Sequence, residues 1–232
     1  MSTGLFFLWV IGVTSFTFLG SIYARKTERS DLLIGLYVAF VLTAQILATK
    51  IASFQFGDYS FVGPAGVLVF AVTFLMTDIV NEKFGRKETH KMIMIAFFAQ
   101  VAMTFFLWLG TQFPPDPTWG GQFETAWNTF FGQVPRIAVA GWIAFLISEN
   151  FDAVVYAWFK RLTGGRMLWL RNVLSTLPAL ALDSVIFITI AFWGTTTPLL
   201  LLIKGQIVIK WAVGIINIPF MYLNRRILEG PR

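Results

Sequence analysis

Apolar residues fill long unbroken stretches of this 232-residue chain, and the polar ones gather between them. Seven stretches reach the roughly 20 residues that a helix needs to cross a bilayer. They run over residues 4–24, 32–54, 64–82, 91–111, 135–159, 173–193 and 199–223. The pattern predicts an all-α integral membrane protein, a bundle of about seven transmembrane helices forming one domain over residues 1–232. The first stretch has its positive charges after the apolar run and no basic region before it, so it is expected to be a retained helix rather than a secretion signal. Residues 55–63, 112–134 and 194–198 are expected to be connections. Within the longest of them Phe123, Trp127, Phe130, Phe131 and Val134 recur at helical spacing. That spacing suggests a short helix lying at the outer interface, the alternative being an aromatic loop among the headgroups.

Composition agrees with this class. The chain is 56% hydrophobic and 13% charged, less charge than the surface of a soluble domain of this length requires. The bilayer is therefore the solvent, and the expected location is the cell membrane (the cytoplasmic or inner membrane), crossed many times. The absence of cysteine excludes disulfides and thiolate metal sites. A net charge of +6 would suggest nucleic acid in a soluble protein, but here its distribution decides. Arg25, Lys26 and Arg29 follow the first stretch, and Lys83, Arg86, Lys87 and Lys91 follow the third. Lys160, Arg161, Arg166 and Arg171 follow the fifth, and Arg225, Arg226 and Arg232 lie after the seventh. The other connections hold no basic residue. Positive charge marks the cytoplasmic side, so the N terminus is expected outside and the C terminus in the cytoplasm.

Besides Lys91 at the edge of the fourth stretch, nine charged residues lie within the stretches themselves. At a rise of about 1.5 Å per residue, Lys50, Arg136 and Lys204 fall towards the outer side. Glu149, Asp183 and Lys210 fall near the midplane, and Asp78, Glu82 and Asp152 towards the cytoplasm. Each such charge costs roughly 3 kcal/mol near a helix centre, so they are expected to face the bundle interior, pair, or line a wet cavity. Spacing supports a shared interior: Asp78 and Glu82 are four apart, Glu149 and Asp152 three apart, so each pair shares a helix face. The alternative is that they only staple the bundle by pairing, as in an assembly protein that binds no small molecule.

The chain shows no HExxH, no GxSxG with a partner histidine and no Walker A pattern, which argues against an enzyme or an ATPase. No potassium-channel filter is present either. No metal site and no cofactor are expected. A carrier with a polar site at mid-depth is the reading that remains.

Four stretches carry a family resemblance: FLMTDIVNEKFG (Phe74–Gly85), PRIAVAGWIAFLISENFDAVVYAWFKRLTGG (Pro135–Gly165), LWLRNVLSTLPALALDSVIFITIAFWG (Leu168–Gly194) and KWAVGIINIPFMY (Lys210–Tyr222). In combination they resemble the VUT family of membrane proteins, the queuosine-precursor transporters. The resemblance implies import of a 7-deazaguanine precursor of a modified tRNA base, in its 7-cyano or 7-aminomethyl form. It also implies a helical bundle similar to vitamin-type substrate-binding membrane subunits; the second reading is thus a subunit energised by a separate ATPase module. Thr77, Asp78, Asn81 and Glu82 match the family's third-helix motif. Arg136, Asp152, Asn172, Ser175, Asp183 and Lys210 match later positions, and Lys50 stands where a lysine is usual. The chain departs from the pattern at Glu149 and Leu180, where glutamine is common, and at Thr49, where asparagine often precedes the lysine.

On this resemblance the partners are the bilayer and a small molecule, with no nucleic acid. Lys50, Asp78, Arg136, Glu149, Asp152, Asp183 and Lys210 are the candidate substrate-binding residues. Thr77, Asn81 and Glu82 are candidates for a gate or path at the inner mouth, with Arg86 or Lys83 as pairing partners. A guanine-like edge offers adjacent N–H donors to one carboxylate and a carbonyl to a donor such as lysine. Asp183 is expected to accept from it, with Lys210 close enough to keep the carboxylate ionised. Phe187, Phe192 and Trp211 are candidate stacking faces. Glu149 is expected to favour the cationic aminomethyl compound unless Lys210 or Lys204 neutralises it.

Overall fold

The computed structural model describes residues 3–56, 58–162 and 168–229. Among them the chain forms α1 (Thr3–Thr27), α2 (Asp31–Leu47), β1 (Ile51–Phe56), β2 (Tyr59–Pro64), α3 (Val67–Phe84), α4 (Arg86–Gly110), α5 (Gly121–Phe131), α6 (Val134–Leu162), α7 (Leu168–Phe192) and α8 (Leu199–Glu229). Four helical stretches, Leu8–Thr27, Lys87–Gly110, Gly121–Ser148 and Leu199–Leu228, are long and apolar enough to cross a membrane. The protein also turns large apolar side chains outward, among them Leu8, Phe98, Phe106, Leu146 and Leu200. In water that surface would be prohibitive; in lipid it is the solvated face. This is a mostly helical membrane protein.

The second stretch departs from expectation. A helix was expected over 32–54, but α2 stops at Leu47, and β1 and β2 then form an antiparallel hairpin that takes up most of the expected connection 55–63. Its register pairs Ile51 with Pro64 and Phe56 with Tyr59. A short apolar run does not separate strand from helix by hydropathy alone. The distinguishing signals were local: Phe54 and Phe56 alternate with Ser53 and Gln55, and Gly57-Asp58 is a favoured two-residue hairpin dipeptide. The ladder satisfies its own backbone groups, and the Ser53 and Ser60 hydroxyls meet at 2.9 Å. Non-helical backbone in a membrane protein needs such internal satisfaction. The short helix expected in residues 112–134 is present as α5, with the Trp127 and Phe131 rings in tilted contact at 4.4 Å.

Five helices close into a ring in which α2 packs on α3, α3 on α8, α8 on α7, α7 on α6 and α6 on α2. Two glycines let this ring close tightly. A Cβ at Gly66 would overlap the Ala44 carbonyl of α2, and one at Gly205 would overlap the Val62 carbonyl of β2. The hairpin therefore lies directly on α8, and Phe54 is buried with Val67, Leu68, Ile209 and Val213. At the other end of α8, Ser21 of α1 donates to Asn224 at 2.8 Å inside the packed interior. Gly85, at φ 81°, separates α3 from α4; this is the glycine that ends TDIVNEKFG, and its N–H bonds the Asn81 carbonyl at 3.0 Å.

Candidate functional site

The ring encloses a cavity of about 560 Å³, its open mouth included. Most of its wall is apolar, from Val41, Val67, Phe70, Ile137 and Phe187. Into this wall project Asp183 from α7, Lys210 and Gln206 from α8, Gln45 from α2 and Gln100 from α4. An apolar cleft with a few convergent polar groups is the usual form of a small-molecule site.

Asp183 and Lys210 form an ion pair across α7 and α8, and they are only 6% and 3% exposed. Burial explains why they must pair. Isolated, each would carry a desolvation cost of several kcal/mol, and together they form a neutral unit that the interior tolerates. Ser148 of α6 lies 3.5 Å from the other carboxylate oxygen, Asp183 Oδ1, as a long hydrogen-bond donor. Lys210 Nζ also sits 5.4 Å from the centre of the Phe70 ring, in the range of a cation–π contact. The pair expected from the sequence is therefore assembled, and inside the cavity. A buried ion pair with one weakly held oxygen and two spare ammonium protons can receive a ligand bearing both donors and acceptors.

The other candidates lie elsewhere. Lys50 is exposed in the turn before the hairpin, where its carbonyl accepts from Ala65 N–H at 2.8 Å. Arg136, near the start of α6, donates to the Ile190 and Trp193 carbonyls at 2.7 Å each. Those carbonyls end α7, so the guanidinium caps a helix C terminus. Asp78 is exposed on α3 and does not line the cavity. Glu82 pairs with Arg225 at 3.3 Å, and Lys83 with Glu28 at 3.0 Å, rather than with each other. The Thr77 hydroxyl bonds the Phe74 carbonyl of its own helix at 2.7 Å, and Asn81 is exposed. Lys204 is exposed. Glu149 and Asp152 lie on α6, and Asn172 and Ser175 on α7, but their side chains fall outside the described residues, as does that of Arg86. Of the expected stacking faces, Phe187 lines the cavity and Phe192 backs it edge-on at 6.2 Å. Trp211 instead donates to the Leu177 carbonyl at 3.1 Å.

Gln45, Gln206, Gln100 and Phe70 were not read from the sequence. The available signal was the same one that flagged the charges: an amide within an apolar run also needs a partner. Gln206 stands four residues before Lys210, on the same face of α8.

Residues 64–224 match the family described as "Putative vitamin uptake transporter". The chain is 31% identical over 168 residues to a protein of Bacillus subtilis named "Probable queuosine precursor transporter", covering 71% of this chain and 72% of that one. It is 26% identical over 161 residues to a Haemophilus influenzae protein of the same name, covering 69% of this chain and 63% of that one. No solved structure matches. The match includes Asp183, Gln206 and Lys210 but begins after Gln45. With more than half of its length matched and its long apolar helices closed around a polar cavity, the chain belongs to the vitamin uptake transporter family.

Proposed function

We propose that this protein imports a 7-deazaguanine precursor of queuosine; the two relatives named "Probable queuosine precursor transporter" support the substrate class. The observation that carries the reading is the buried Asp183–Lys210 pair within an apolar cavity that Phe187 and Phe70 also line. A deazaguanine presents adjacent N1–H and amino donors and one carbonyl, a set complementary to a carboxylate beside an ammonium. Phe187 and Phe70 supply flat apolar surface for the ring system. Asp183 and Lys210 are thus the proposed binding centre, and the reaction is translocation without chemistry. The chain is proposed to act as one transmembrane domain in the cytoplasmic membrane, with seven spans, its N terminus outside and its C terminus inside. Charge distribution supports that orientation. On it α5 lies at the outer interface, and Glu82 and Lys83 lie at the inner end of α3.

The test is uptake of labelled 7-cyano-7-deazaguanine into cells that lack their own route and any related ATPase module. Accumulation above the empty-vector level is expected. Equal levels in both would overturn the reading of a carrier that works alone, and rescue by co-expressed ATPase subunits would identify the energised-subunit alternative. Single cysteines introduced at Asp116 and Arg166 of this cysteine-free chain are expected to label from opposite sides.

A further inference from the structure

The cavity contains more hydrogen-bonding capacity than the ion pair uses. Gln45 is 7% exposed, and neither its amide oxygen nor its amide nitrogen has a protein partner. Gln206 is 3% exposed, and its amide oxygen is likewise unpaired. Both side chains line the cavity. Gln45 differs from the other buried amides in having neither end paired: Asn217 donates to Ala71 O at 2.9 Å although its oxygen is unpaired, and Asn224 donates to Phe220 O at 2.9 Å while accepting from Ser21. An unsatisfied buried amide destabilises the fold, so an amide kept in the cavity wall points to a polar partner within the cavity.

Position around the ring defines what that occupant must offer. α2 packs on α3 and α6, whereas Asp183 and Lys210 come from α7 and α8. Gln45 therefore faces the ion pair across the cavity, and Gln206, on α8 one turn from Lys210, lies to one side. A planar ligand whose N1–H and carbonyl edge meets Asp183 and Lys210 turns its opposite edge to Gln45. In a deazaguanine free base that edge carries N3, an acceptor, beside N9–H, a donor. A carboxamide pairs with both, its oxygen accepting from N9–H and its nitrogen donating to N3. The exocyclic amino group lies between the two edges; one of its hydrogens reaches Asp183 and the other the free oxygen of Gln206.

We infer that Gln45 reads the N3/N9–H edge of the ligand, with Gln206 on the amino group, and so restricts the site to the free base. This rests on the proposed deazaguanine reading. A sugar or methyl at N9 removes the hydrogen that Gln45 accepts and leaves its oxygen buried and unpaired, the situation in which a polar site discriminates most strongly.

The experiment is calorimetric binding of 7-cyano-7-deazaguanine and its N9-methyl derivative to the purified full-length protein in nanodiscs. Wild type is expected to bind the free base about 10- to 100-fold more tightly than the N9-methyl compound. Gln45→Ala removes the amide and opens space for the methyl; it is expected to weaken free-base binding by a similar factor and to bring the two compounds to near parity. Gln206→Leu is expected to weaken both ligands by about tenfold while keeping their ratio. A merely structural role for Gln45 predicts the wild-type ratio in Gln45→Ala, and that result overturns the inference. Should Gln45→Ala fail to fold, Gln45→Asn, which keeps the amide one methylene short, is expected to weaken the free base and lower the ratio; an unchanged ratio overturns the inference there too. If wild type binds neither compound, the deazaguanine reading itself falls; if it binds the free base and the ratio ignores Gln45, only the amide assignment falls.

Discussion

Two clusters of charge within apolar helices meet opposite fates in this protein. Asp183 and Lys210 are enclosed, pair with each other across two helices and line a cavity. Asp78, Glu82 and Lys83 of TDIVNEKFG stand towards the end of α3, where Asp78 and Glu82 are exposed and the partners of Glu82 and Lys83 are surface residues, Arg225 and Glu28. The residue types are nearly the same in both places; what differs is the medium around them. An enclosed ion pair forfeits hydration that its attraction only partly restores, whereas an exposed one loses and gains little. Charge inside an apolar run therefore announces a constraint, and burial decides how much each charge depends on its partner.

The strongest way to break this contrast is to remove one half of the enclosed pair. Asp183→Leu leaves Lys210 buried without its partner and is expected to cost about 3–5 kcal/mol, read as a lower thermal midpoint and poor membrane yield. The double variant Asp183→Leu with Lys210→Met is expected to recover most of that stability and none of the uptake. A double variant that still transports would mean that the pair serves only the fold.

Exchanging the two residues sharpens the same point. Asp183→Lys with Lys210→Asp keeps a pair but moves the carboxylate to α8, away from Ser148 and towards Phe70. Stability within about 2 kcal/mol of wild type is expected, because a paired charge remains paired. Uptake should fall below detection, and transport near the wild-type rate would contradict Asp183 as a ligand acceptor.

Arg136 tests an intermediate case. Its two hydrogen bonds to the end of α7 are charge-assisted but lie at an exposed site. Arg136→Ala is expected to lower stability by about 1–2 kcal/mol while leaving ligand affinity within twofold, measured by unfolding and calorimetry on the same preparation. A large affinity loss at unchanged stability would return Arg136 to the binding site. The smallest effect is expected at Glu82→Gln, which removes a half-exposed ion pair worth about 0–1 kcal/mol. Uptake reduced tenfold or more by that change would show that the end of α3 belongs to the substrate path after all.

What the sequence disclosed follows the same physics. Long apolar runs announced the helices, and Asp183 and Lys210 stood out because a charge near the middle of such a run has few tolerable environments. Gln45 carries no charge and does not stand out by that criterion, although an unpaired amide is subject to the same argument on a smaller scale. The hairpin was lost because six-residue apolar strands lie below the length at which a hydropathy run can distinguish them from a helix end. Arg136 is a candidate ligand contact by its place in the motif, and nothing local to it shows that the end of α7, 54 residues away, brings its carbonyls alongside.

The order in which the chain is made gives the buried pair a further meaning. Asp183 leaves the ribosome 27 residues before Lys210. At about 5–20 residues per second that interval is roughly 1–5 s. During it, α7 has its carboxylate and no ammonium to meet it. The hairpin and α1 wait as well, since both pack on α8 and the Ser21–Asn224 bond joins residues 203 apart. α8, synthesised after the seven helices before it, is thus the one that closes the bundle, and nascent chains halted before Lys210 are the species that quality-control proteases and insertion chaperones would encounter with an unpaired charge.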